Sequence, residues 1–96
     1  MNTFKDATTE EINAIMEQSW NAFETYRTFS LQQRAGFMHA IATALGSISE
    51  AVVAAAMKET HLPEPRLNNE LTRTIFQLNS YADACKQGNW IEARID

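Results

Sequence analysis

Two histidines, one cysteine and twelve carboxylates are the side chains in this 96-residue sequence that could move a proton, attack a carbonyl or hold a metal. Each of those chemistries demands a spacing. A zinc site needs His or Cys ligands paired within a short motif, and neither His39 nor His61 has such a partner, so both read as surface or capping residues and no metal is expected. Cys85 stands alone, with no histidine near it in sequence to draw off its proton, and reads as a small buried thiol rather than a nucleophile. Gly36, Gly46 and Gly88 never approach a phosphate-binding pattern such as GxGxxG. Glu10, Glu11, Glu17 and Glu24 fall where first-turn or solvated-face residues belong, and Glu70 lies three before Arg73, the spacing of a surface ion pair. Trp20, Phe23, Tyr26 and Phe29 could wall a ligand, but their helical spacing points to core or interface packing instead. No catalytic, cofactor-binding or metal-binding residue is assigned.

The elements that carry these residues read as helices. Thr8 with Glu11, Ser30 with Gln33 and Ser47 with Glu50 have the capping-box spacing, in which a hydroxyl and a longer acceptor side chain reciprocally satisfy free backbone N–H groups. The first box opens a helix over about 10–27 with the stripe Ile12, Ile15, Met16, Phe23, Tyr26. The second opens one over 31–45 carrying Met38, Ile41, Ala42 and Leu45, with Gly46 offering a left-handed stop. The third leads into a helix over 49–60 that is apolar on nearly every side and needs cover on several faces. Pro63 breaks the chain, and Pro65 suits the first position of a helix over 65–87 with the stripe Leu67, Leu71, Ile75, Leu78, Ala82, Cys85, ended by Gly88. Residues 90–95 alternate as a half-buried strand would. A lone strand has no partner, which suggests that further sequence follows. The fold class expected is all-α: a small bundle of about four helices with a short C-terminal extended segment, a single unit over 1–96.

Composition narrows the function classes. Three glycines and two prolines are too few for a many-turned β-sandwich or a disordered linker, and one cysteine excludes a disulfide framework. A net charge of -4 argues against nucleic acid or anionic membrane as partners. No apolar run is long enough for a membrane span and the start lacks a signal-peptide profile, so the sequence reads as cytoplasmic. Chains of this size bury roughly 60–65% of their unfolded surface.

Beyond local physics, Trp20 to Phe37 reads WNAFETYRTFSLQQRAGF and resembles the aldehyde dehydrogenase pattern of A-F, a spacer, a serine and E/Q-R-A. Phe37 to Leu45 looks like that family's "L..IA..L" helix. Lys58 to Pro63 resembles its E-T/S-G-x-P turn, with His61 where the family has a glycine able to take positive φ, and Glu70 falls where the E of its "E..R" segment would lie. The end, Gly88 to Asp96, is similar to the W-x-x-A-R-I-D of the branch that oxidises 2-oxoglutarate semialdehyde with NAD or NADP. The likeness covers about residues 8–96.

What the resemblance implies is an N-terminal helical fragment of a larger α/β enzyme. The family's catalytic cysteine, glutamate base, oxyanion asparagine and cofactor-binding lysine and glycine turn would all lie beyond Asp96, and its leading β-hairpin has no counterpart here. The chain by itself is then structural and inactive and holds no cofactor, NAD or NADP belonging to the parent. The alternative is a free-standing helical interaction module of the same ancestry. Either way apolar surface is left over. The partners expected are the remainder of the parent enzyme and a second copy of the chain, the latter through residues such as Phe76, Trp90 and Ile91.

Overall fold

A hydroxyl and a carboxylate fix where the first helix begins. In the computed structural model, which describes residues 3–91, Thr8 Oγ1 accepts from the Glu11 N–H at 3.1 Å while the Glu11 carboxylate accepts from the Thr8 N–H at 3.3 Å, and α1 runs Thr9–Tyr26. The same reciprocal pair recurs between Ser30 and Gln33, at 3.0 and 2.8 Å, and opens α2, Leu31–Ser47. Two further helices follow, α3 (Ser49–Thr60) and α4 (Glu64–Gln87). The all-α reading of the sequence is what the described residues show.

The third box does not form. α2 continues through Gly46 to Ser47, so the glycine is no stop, and Ile48 alone separates α2 from α3, whose axes differ by 71°. Ser47 is therefore still in helical backbone, and its hydroxyl donates back to Ala44 O at 2.7 Å instead of capping forward toward Glu50. Pro63 is the N-cap of α4, which starts at Glu64 and puts Pro65 one place further in than the spacing suggested, still within the turn whose N–H groups lack partners. Trp90 lies in a turn after Gly88, closed by the Ile91 N–H on Gly88 O at 3.1 Å. The rest of the extended segment expected over 90–95 lies outside the described residues.

Two helix ends adopt the left-handed backbone, with different residues. Gly88 closes α4 at φ 73°, and a Cβ there would sit 3.3 Å from Leu31 Cδ1. His61 closes α3 at φ 60°, its N–H on Met57 O at 2.9 Å, so the position where the resembled family has glycine takes the glycine conformation with an imidazole attached.

The packing is led by α2 against α4, with α3 laid across α4 and touching α2 less. Alanines make this close approach: Ala35 and Ala42 of α2 and Ala82 of α4 are buried, and with Val53 of α3 they are all the core the described residues have. Around Ala82 the stripe of α4 is half-buried as its spacing implies. On α2 the inward face runs Leu31, Arg34, Ala35, Met38, His39, Ala42 and Leu45, leaving the expected stripe residue Ile41 exposed.

Among the described residues no buried side chain is larger than these. Only the last residue of α1, the half-buried Tyr26, meets another helix, at Arg34 and Phe37 of α2; the rest of α1 is exposed, with no helix packed along it. The accessible surface is 8373 Å² where a compact chain of this mass would show roughly 5,500 Å². The radius of gyration is 18.1 Å against roughly 12.5 Å for a compact chain. The burial expected from size alone is thus not reached: the chain covers a little under roughly half of its unfolded surface.

The two left-handed caps give opposite tests. Gly88→Ala meets both the positive φ and Leu31 and should cost about 1–2 kcal/mol. His61→Gly relieves a strained φ, and after the extra freedom of the unfolded chain is subtracted it should gain about 0.5 kcal/mol. Urea denaturation midpoints moving in the same direction for both variants would contradict these conformations.

Candidate functional site

The residues that could do chemistry are carried by different helices and meet in three places. In the first, His39 of α2 is held between two residues of α4: Nδ1 lies 2.7 Å from Asn79 Oδ1 and Nε2 lies 3.2 Å from Asp83 Oδ1. A neutral ring donates from one nitrogen only, so both contacts are satisfied together either by an imidazolium or by a turned Asn79 amide. The sequence placed these partners 40 and 44 positions apart, and no local pattern joins them. A carboxylate orienting a histidine is half of a catalytic relay, but here the ring's two nitrogens are both spent on α4, leaving none to face a nucleophile. Its work is to tie α2 to α4.

In the second place, Cys85 is half-buried with Sγ 3.7 Å from Leu31 O. It lines an open apolar groove of about 430 Å³ with Met38, Tyr81, Ala84 and Trp90, whose indole N–H donates to Ala84 O at 3.0 Å. The thiol thus has a carbonyl and aliphatic neighbours, not a base.

The third place is the corner between α1 and α2. Arg34, which the sequence reading passed over although it lies inside the Q-R-A motif, turns back across the corner: Nε donates to Phe29 O at 3.2 Å, and Nη2 donates to Tyr26 O and Arg27 O at 3.3 Å each. Its guanidinium sits 4.6 Å from the centre of the Tyr26 ring. A charged residue at an inward-facing position of α2 was the available signal. The aromatic set forms a tilted chain, with Trp20 against Phe23 at 5.4 Å, Tyr26 against Phe29 at 5.0 Å and Tyr26 edge-on to Phe37 at 5.9 Å. It is not a core: Trp20 is 61% and Phe23 49% exposed, and Phe23, Tyr26, Phe29 and Phe37 line an open groove of about 660 Å³.

The remaining carboxylates among the described residues are exposed. Glu24 and Glu70 each stand 3.9 Å from Arg27 and Arg73, exposed pairs worth a few tenths of a kcal/mol at most. His61 occupies the turn between α3 and α4. Among the described residues no three of His, Cys, Asp or Glu come close enough to share a metal ion, and no helix is long and apolar enough by itself to cross a membrane. What these places have in common is mechanical: each fastens one helix to another.

Replacing Arg34 by Lys keeps the charge but loses the fork that reaches three carbonyls, and should destabilise the chain by about 1–2 kcal/mol and free α1, read as faster amide exchange at residues 26–29. Cys85→Ala should cost about 0.5–1 kcal/mol through lost packing. A variant more stable than the parent would show the thiol strained rather than packed.

Comparison with known proteins adds what the geometry does not. Residues 1–94 match the aldehyde dehydrogenase family. The chain is 34% identical over 93 residues to alpha-ketoglutaric semialdehyde dehydrogenase 2 of Azospirillum brasilense, and 33% identical over 93 residues to alpha-ketoglutaric semialdehyde dehydrogenase of Acinetobacter baylyi. Each alignment takes in 97% of this chain and 18% of the relative, so the chain spans under a fifth of the length of the curated relatives it matches. No solved structure matches it.

Proposed function

Because this chain belongs to the aldehyde dehydrogenase family, we propose that it is the N-terminal helical segment of an NAD(P)-dependent enzyme that oxidises 2-oxoglutarate semialdehyde to 2-oxoglutarate, and that its own role is structural. The names of the two relatives support the substrate. The observation that carries the structural role is the surface: four small residues make up the core of the described residues and an amphipathic helix stands uncovered except at Tyr26, as befits a layer shaped to lie on something larger. The cytoplasmic location read from the sequence belongs to the same proposal.

The residues present do not fit the nicotinamide cofactor. A dinucleotide's pyrophosphate needs open backbone N–H groups, usually at a helix start, and a favourable local charge. Here α1 and α2 close their first turns with their own Thr8–Glu11 and Ser30–Gln33 pairs, while α1, α3 and α4 carry Glu10 and Glu11, Glu50 and Glu64 in theirs. Each start is therefore occupied by its own side chain or carries an anion that repels phosphate. Cofactor binding in the parent is a matter for residues other than these, and no chemical step is assigned to this chain.

The purified chain should produce no NADH or NADPH above background from 2-oxoglutarate semialdehyde. Grafted in place of the aligned residues of the Azospirillum brasilense relative, it should restore a folded dehydrogenase with kcat within about tenfold of that enzyme. Turnover by the isolated chain would defeat the structural reading. A graft that folds and assembles but does not turn over would favour the free-standing interaction module.

A further inference from the structure

A tryptophan ring carries one polar group, an N–H that donates and cannot accept, so the place of its partner tells how the ring is held. Trp90 donates from Nε1 to Ala84 O at 3.0 Å, six residues back along the chain. Had α4 run on as a helix, residue 90 would stand about 9 Å beyond residue 84 along the axis, out of reach of that carbonyl. The bond exists because Gly88, at φ 73°, ends the helix and turns the chain back on it.

Ala84 O lies in the last turn of α4, whose carbonyls the helix itself does not satisfy. It accepts twice, from the Gly88 N–H at 3.2 Å and from the Trp90 indole. The Ile91 N–H then closes on Gly88 O at 3.1 Å. These bonds gather residues 88–91 into one turn against the helix end. Two of them are backbone bonds that a left-handed helix stop and a tight turn make with many residue types; the indole bond alone is written by a side chain.

From the other side the turn meets α2. A Cβ on Gly88 would lie 3.3 Å from Leu31 Cδ1, Cys85 Sγ lies 3.7 Å from Leu31 O, and Met38 lines one groove with Trp90. The turn is therefore placed against two helices.

We propose that Trp90 is a positioning residue for the chain that leaves α4: by clasping Ala84 O, its indole fixes the course of the backbone at Ile91 relative to α4 and α2. Burial does not hold the ring, which is 61% exposed; the hydrogen bond does. A phenylalanine could rest in the same groove, but without the N–H it would leave the turn free to open. The α2–α4 core, built on Ala35, Ala42 and Ala82, takes no part in this clasp, so the course of the exit and the stability of the helices can be separated by experiment.

Trp20 is the internal standard. It is also 61% exposed, so a difference between the two indoles reports the bond and not the exposure. In hydrogen exchange followed by NMR on the 96-residue chain, the Trp90 indole N–H should exchange about three- to tenfold more slowly than that of Trp20. Trp90→Phe should speed exchange of the Ile91 amide by about the same factor while the amides of Ala42 and Ala82 keep their rates. With Cys85→Ala as background, nitroxide labels on Gln77→Cys and Ile91→Cys should give one narrow distance distribution in pulsed electron paramagnetic resonance, and adding Trp90→Phe should broaden it. Equal exchange of the two indoles, or a distance distribution indifferent to Trp90→Phe, would overturn the proposal. So would a loss of helical circular dichroism in Trp90→Phe, which would make the ring a support of the helical body and not of the exit.

Discussion

Ala35, Ala42 and Ala82 set the distance at which the rest of the chain is built. Because these positions carry only a methyl group, α2 and α4 lie close enough for His39 to reach both Asn79 and Asp83, and for Leu31 to meet Gly88 and Cys85 at the other end of the same interface. A larger side chain at Ala82, which has no exposed surface at all, would push the two helices apart and break both sets of contacts together. The third helix depends on that pairing in turn, since it lies across α4 and contributes Val53 to a core the alanines have already defined.

The interface holds helices together without enclosing large side chains, and that limits what the chain can be. Apolar burial is the main favourable term in folding, and here it comes from half-buried leucines and isoleucines around a few methyl groups. Polar fastenings supplement it at the edges: the histidine between α2 and α4, and the guanidinium across the corner of α1 and α2. A layer of this kind suits a family whose members are about five times longer, as the relatives are.

What could be read from the sequence follows the range of each interaction. The boxes at Thr8 and Ser30 were legible because both partners lie within one turn and nothing distant competes. The box at Ser47 has the same letters, yet a one-residue corner leaves Ser47 inside the preceding helix, and no local rule shows how little chain separates two helices. The stripe of α4 was legible from its period, while on α2 the inward face rotates enough to take in Arg34 and His39 and to leave Ile41 outside, because their polar ends have partners on neighbouring elements. Those partnerships span a corner or some forty residues, and only the fold discloses them. The aromatic set was read as packing; its spacing was right for one face of a helix, but spacing does not say whether anything lies opposite.

With no neighbouring helix along its first turns, α1 keeps its shape by helix–coil statistics. An isolated helix of this length is marginal in water, so each residue's intrinsic propensity and the single Thr8–Glu11 box weigh directly on how much of it is formed at any moment. Its melting is then gradual and uncoupled from that of α2, α3 and α4, which lose their shared alanine contacts as one cooperative unit. Thermal unfolding of this chain is therefore not a two-state process, and a single midpoint drawn from it averages a fraying helix with a collapsing body.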